Sequence, residues 1–166
     1  TLATNSVDSA ELIDGSIDTA HIGTDQITGA ILPAGSLLQV VQGIYTTNFN
    51  TSSTSYVDTG LSASITPSST SSKILALVSQ QGFKAGSDEA YHYQILRDAT
   101  QVAYTRVQIQ TSEQSSAGIY LHKLDSPSTT SAITYKTQVK TDYGQTIYFQ
   151  WDANSQATIT LMEIAG

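Results

Sequence analysis

From Ser36 onward, apolar residues recur at every second position in short runs, and Ser, Thr, Asn, Asp, Gly and Pro fill the gaps between them. A period of two puts alternate side chains on opposite faces of an extended chain, so each run predicts a half-buried β-strand. In YVDTGLSASIT, Leu61, Ala63 and Ile65 share a face; in AYHYQILR, Tyr91, Tyr93 and Ile95 share one, with His92, Gln94 and Leu96 on the other. KILALV is apolar without a break and predicts a central strand. SLLQVVQGIY, QVAYTRVQIQ, IYLHKLDSP, AITYKTQVK, TIYFQWD and ATITLMEI complete the series, with a hairpin at Asp98, Ala99 and Thr100 and loops at PSSTSS, TDYGQ and ANSQ. The pattern gives about eight or nine strands at intervals of roughly 8–15 residues and no helical period of useful length. Residues 36–166 are therefore expected to form an all-β head domain, an antiparallel jelly-roll-like β-sandwich.

Residues 1–35 follow a different rhythm. Read in tens from Ser6, they run SVDSAELIDG, SIDTAHIGTD and QITGAILPAG, so that Val7, Ile17 and Ile27 share one column and Leu12, Ile22 and Leu32 another. An apolar residue every five positions fits neither a helix nor a strand. A segment with one thin apolar line cannot repay an ordering entropy of roughly 1–2 kcal/mol per residue by itself. Three copies of the chain could cover that line by wrapping it onto a shared axis. This predicts an intertwined, trimeric fibrous segment with Val7, Leu12, Ile17, Ile22, Ile27 and Leu32 at the trimer interface. The Gly, Asp, Ser and Thr content also suits a flexible acidic linker; the regularity of the column favours the fibre.

Composition narrows the function. The 166 residues are enough for one domain and an appendage. Ser and Thr supply 45 of them, which suits strands and turns. There is no Cys, which excludes disulfides, zinc–thiolate sites and thiol nucleophiles. The formal charge of −7 disfavours nucleic acid and anionic lipid as partners. It is unevenly placed: Asp8, Glu11, Asp14, Asp18, Asp25 and Asp58 precede the first base, Lys73, while the remainder is near neutral. No apolar run reaches the roughly 18 residues of a membrane span, and no basic-then-apolar leader is visible. The chain starts at Thr1 rather than Met, the expectation for a fragment or processed product.

Catalytic signatures are lacking. His21, His92 and His122 stand far apart without metal-ligand spacing, although a trimeric fibre would bring three copies of His21 to one axis. Asp88-Glu89 is the only adjacent acid pair, and a solvated loop pair lacks the contrasting environments that general acid/base work needs. No enzyme activity, metal or cofactor is expected. Recognition is left to loops on a rigid scaffold. Two loops offer suitable groups: Asp142 and Tyr143, a planar aromatic beside a carboxylate, and Lys84, Ser87, Asp88 and Glu89, with charge of both signs.

The segments SVDSAELIDGSIDTAHIGTDQITGAILPAG, TSSTSYVDTGLSASITPSSTSSKILALVSQ, LHKLDSPSTTSAITYKTQVK and ATITLMEIAG resemble bacteriophage tail-fibre and appendage proteins, especially those of phages of marine cyanobacteria. The first is similar to their repeated shaft elements and the others to their C-terminal head. The resemblance implies a homotrimeric virion protein, joined to other virion proteins on its N-terminal side, whose head adheres to a host-surface glycan or outer-membrane protein. A structural capsid or tail appendage that registers the trimer without binding host is the alternative, and a small depolymerase a third. The family varies most over residues 82–114 and 141–154, so receptor contacts do not carry over residue by residue.

Overall fold

The computed structural model describes Ile22, Ile27 and residues 32–84, 88–110 and 113–166. The chain divides into two compact units, Thr1–Pro33 and Ala34–Gly166. In the first, Ile22 and Ile27 are exposed on the single chain and Leu32 is half-buried; Val7, Leu12 and Ile17 of the expected trimer interface lie outside the described residues.

The second unit is all-β, with no helix among the described residues. Its strands are β1 (Leu37–Tyr45), β2 (Phe49–Thr51), β3 (Val57–Ile65), β4 (Lys73–Lys84), β5 (Glu89–Arg97), β6 (Thr100–Ile109), β7 (Ser115–Asp125), β8 (Ile133–Thr141), β9 (Ile147–Phe149) and β10 (Ala157–Ile164). One sheet runs β1-β10-β4-β9-β2, with β7 on the other edge of β4, and the second runs β3-β8-β5-β6. With the short β2 and β9 set aside, β1-β10-β4-β7 facing β3-β8-β5-β6 is the strand order of a jelly roll. KILALV is central as expected, because β4 pairs β10 and then β9 along one edge and β7 along the other. Its unbroken apolar run has another cause than two buried faces: Ile74, Ala76 and Val78 enter the core, while Leu75 and Leu77 face outward.

The core lies between the sheets, built from Leu61, Ala63 and Ile65 of β3, Tyr91, Tyr93 and Ile95 of β5, Tyr135 and Val139 of β8, Phe149, and Ile159 and Leu161 of β10. Tyrosines in strands are commonly half-buried with their hydroxyls near water, yet Tyr91, Tyr93 and Tyr135 are wholly buried. Burial pushes all three phenols well up, so they stay neutral. Two of them carry their hydroxyls to internal partners: Tyr93 donates to Gln80, and Tyr135 donates to Asp125 Oδ2 at 2.7 Å. The sheets converge at the β1/β3 corner, where a Cβ on Gly43 would lie 2.1 Å from the Ser62 carbonyl oxygen. Gly60, at φ +90°, lets β3 bulge there against the Tyr45 ring, a turn that only glycine makes without strain.

Two poles result. At the near pole the chain enters and leaves side by side, with Gly35 N donating to Ala165 O at 2.7 Å and Ala165 N to Ser36 O at 2.8 Å. Glu163 is buried there and accepts from Ser68 N and Oγ, both at 2.7 Å. Its burial alone would raise its pKa, but the hydrogen bonds of Ser68 and Gln39 outweigh that and hold the carboxyl below its usual range. At the far pole β1, β4, β6 and β8 end and β5, β7, β9 and β10 begin.

Candidate functional site

The alternation that builds the core also decides which far-pole side chains are presented. Extended back one step, the inward stripe Tyr91, Tyr93, Ile95 includes Glu89. Likewise the inward stripe of β4 runs on to Lys84. Both were expected as solvated recognition residues, and the structure corrects this: Glu89 is wholly buried and Lys84 nearly so. Asp88 is exposed at the start of β5, and Ser87 lies outside the described residues.

Glu89 instead organises the other predicted loop. Its Oε1 accepts from the backbone N–H of Ala90 at 2.7 Å and of Asp142 and Tyr143 at 3.1 Å, and its Oε2 accepts from that of Gln145 at 2.7 Å. A carboxylate with four backbone donors is a strong, charge-assisted anchor. The two loops singled out in sequence therefore meet, with one holding the other. Thr141 N donates to Ser53 O at 2.8 Å and ties the same loop to the connection after β2.

On this anchor stands a surface cluster drawn from three strands. Asp142 accepts from His92 Nε2 at 2.6 Å and from Arg106 Nη2 and Nε at 2.9 and 3.0 Å. Its slight burial works to raise its pKa; the hydrogen bonds and charges of Arg106 and His92 prevail and hold the carboxyl below the usual range. Tyr104 Oη and His92 Nδ1 are 2.7 Å apart, and Arg106 also donates to Gln108 Oε1 at 3.0 Å. Lys140 Nζ lies 5.3 Å above the Tyr56 ring. Tyr143 and Tyr104, 59% and 45% exposed, leave their rings to solvent beside these fixed charges. Of the predicted set, Asp142 and Tyr143 thus join a surface site, and Asp142 is largely committed to positioning it.

His92, Tyr104, Arg106, Lys140 and Tyr56 were not singled out in the sequence. A signal existed for His92, which the alternation placed on the polar face of its strand. Tyr104 and Arg106 were hidden by a register shift between Ile95 and Leu96. A one-residue slip exchanges the two faces of a strand, and the shift turns Ala103, Thr105 and Val107 inward and Tyr104, Arg106 and Gln108 outward.

A second group of aromatic residues lies on the other sheet at the same pole. Trp151 stacks on Phe83 with ring centroids 5.1 Å apart and meets Tyr148 edge-on at 4.7 Å. Among the described residues, no group of three His, Asp or Glu could hold a metal ion, and no helix is long and apolar enough to cross a membrane.

No family model matches the chain, and no curated protein matches it. Solved structures similar to it include a chain of the T13 IBDV viral particle, 13% identical with a TM-score of 0.42 over 75% of this chain and 35% of that one. Arabinose-bound MgGH51 α-L-arabinofuranosidase is 16% identical with a TM-score of 0.35, over 82% and 25%. Dimeric latent PorU from Porphyromonas gingivalis is 10% identical with a TM-score of 0.38, over 84% and 14%. The chain spans about a third or less of the length of each, and likeness at this level carries no argument about function.

Proposed function

We propose that the chain is the adhesive end of a homotrimeric phage fibre, with the far pole of the sandwich binding a host-surface glycan or outer-membrane protein and no covalent chemistry. The observation that carries this reading is the far-pole cluster: Tyr104 and Tyr143 stand exposed around a fixed Asp142–Arg106–His92 network, in which the buried Glu89 anchors the loop of Asp142 and Tyr143. Rings held without freedom to collapse, beside ionic groups already oriented, bind with little ordering cost. The cluster also lies opposite the pole at which the chain enters, where a fibre end would display it.

Two uncharged rows on the outer face of the β1-β10-β4-β7 sheet support the trimer. Val40, Met162, Leu75 and Leu124 stand in one row across four strands, and Gln42, Thr160, Leu77 and His122 in the next. None of the eight is Lys, Arg, Asp or Glu, yet Val40, Leu77 and Leu124 are exposed. Identical chains can meet on rows without charge at no cost in like-charge repulsion, so the proposed occupants of this face are the other two copies of the chain.

The labelled chain of residues 1–166 is expected to bind cells of marine cyanobacteria that serve as host, and a Tyr104→Ala, Tyr143→Ala variant of unchanged mass and melting temperature to bind at least about tenfold more weakly. Binding unchanged in the variant would remove the cluster from consideration. Absence of binding by the unaltered protein across the hosts tested would favour a connecting or decorating role.

A further inference from the structure

We infer a second site at the far pole, a groove of about 160 Å³ on the outer side of the β4–β7 ladder that takes a neutral sugar. Its wall is Trp151, which is 55% exposed although Phe83 and Tyr148 hold its ring in place. Its polar lining comes from Gln81, Ser116, Gln150, Asp152 and Ser155. An indole face matches the apolar C–H face of a pyranose, and amides, hydroxyls and one carboxylate match its hydroxyl edge.

The lining also selects among sugars. It contains no Lys, Arg or His, and its one ionisable member is Asp152, so an anionic glycan or phosphate would meet only negative charge there. Hydrogen bonds from Ser155 and Asn154 keep Asp152 ionised and oriented, Asn154 N donating to its Oδ1 at 2.9 Å. A carboxylate so fixed accepts from two neighbouring hydroxyls, which neutral hexoses supply.

The backbone beneath the wall is built at a cost. Gln150 has φ +49°, the left-handed region that a non-glycine residue enters only under constraint, and its side chain is buried. Gln80 Nε2 donates to Gln150 Oε1 at 3.4 Å while Gln80 Oε1 accepts from Tyr93, and Asn48 Nδ2 donates to Gln150 O at 3.2 Å. Residues of β4, β5 and the β1–β2 connection thus hold a strained residue whose neighbour, Trp151, is left facing solvent. Gly118, paired with Gln81, leaves room for the exposed Tyr120 ring, which lies over it and lines the neighbouring groove with Leu77 and His122. The groove begins at Gln81 of β4, four residues or about 13 Å from Leu77 in the nearer row proposed for trimer contact.

The groove is separate from the Tyr104/Tyr143 cluster and rests on the adhesion reading only for the source of its sugar. Because Trp151 is the single Trp, its fluorescence reports on this site alone. The test titrates the full chain with cellohexaose, maltohexaose and the anionic polymer polygalacturonate. The expected result is a saturable emission change with a neutral oligosaccharide at low-millimolar affinity or tighter, retained in Tyr143→Ala. Calorimetry should then show at least about a tenfold loss in both Trp151→Ala and Gln81→Ala. No saturable change with either neutral oligosaccharide, tighter binding of polygalacturonate, or an emission change that follows protein concentration alone, the mark of another copy or protein partner in the groove, would each overturn it. Sugar binding with no cell binding would leave the groove standing and remove the adhesion reading; the converse would do the opposite.

Discussion

Replacing Glu89 by Ala is expected to cost about 3–4 kcal/mol of folding stability. Four backbone donors converge on this one buried carboxylate. An orphaned buried donor costs about 1–3 kcal/mol, but the total stays well below four such costs because a pole can admit water. Asp142 N also keeps a second acceptor, Ala90 O at 2.8 Å. Glu89→Gln retains an oxygen but turns an amide NH2 toward other N–H groups, so it should recover about half the loss. Urea unfolding at neutral pH reads both, as a shift of midpoint at constant slope. A loss below about 1 kcal/mol for the Ala variant would mean that the loop holds itself.

A comparable loss, about 3–5 kcal/mol, is expected from Phe149→Ala. Phe149 is wholly buried where β9 bridges the far end of the sheet, with Phe49, Tyr91 and Tyr93 at centroid distances of 5.9, 6.1 and 6.3 Å. The cavity left by its removal is walled by residues from different strands of both sheets, which cannot all move inward together. It also immediately precedes Gln150, so the strained backbone that presents Trp151 should relax and Trp emission should change along with the thermal midpoint. A destabilised variant with wild-type emission would show that the Gln80–Gln150 hydrogen bond alone sets the Trp151 position.

Most of the strands were legible because one face of each is buried. The stripe Leu61, Ala63, Ile65 and the stripe Tyr91, Tyr93, Ile95 enter the core as their spacing implied. The polar stretch TTNFNTSSTS concealed β2, which has three residues and borrows its stability from β9. Strand ends were misjudged for a related reason: a polar residue usually marks a loop, yet Lys84 and Glu89 continue the inward stripes of β4 and β5. Nothing local distinguishes a buried, satisfied carboxylate from a solvated one, since its four partners include three from residues 142–145. The surface cluster was half legible. Asp142 and Tyr143 are adjacent in sequence, but their meeting with His92, Tyr104 and Arg106 depends on a cross-strand register that a bulge displaces.

The central claim is adhesion by three identical heads acting together, and one comparison tests it most directly. Binding to host cells is measured for the unaltered chain and for an Ile17→Asp, Ile22→Asp, Leu75→Asp, Met162→Asp variant, which breaks both proposed trimer contacts, with the mass of each taken by light scattering. The account predicts a trimer for the first and a folded monomer for the second, with the monomer binding about a hundredfold more weakly because single sites lose the avidity of three. An unaltered chain that is itself monomeric, or a monomeric variant that binds cells as tightly as the trimer, would contradict it.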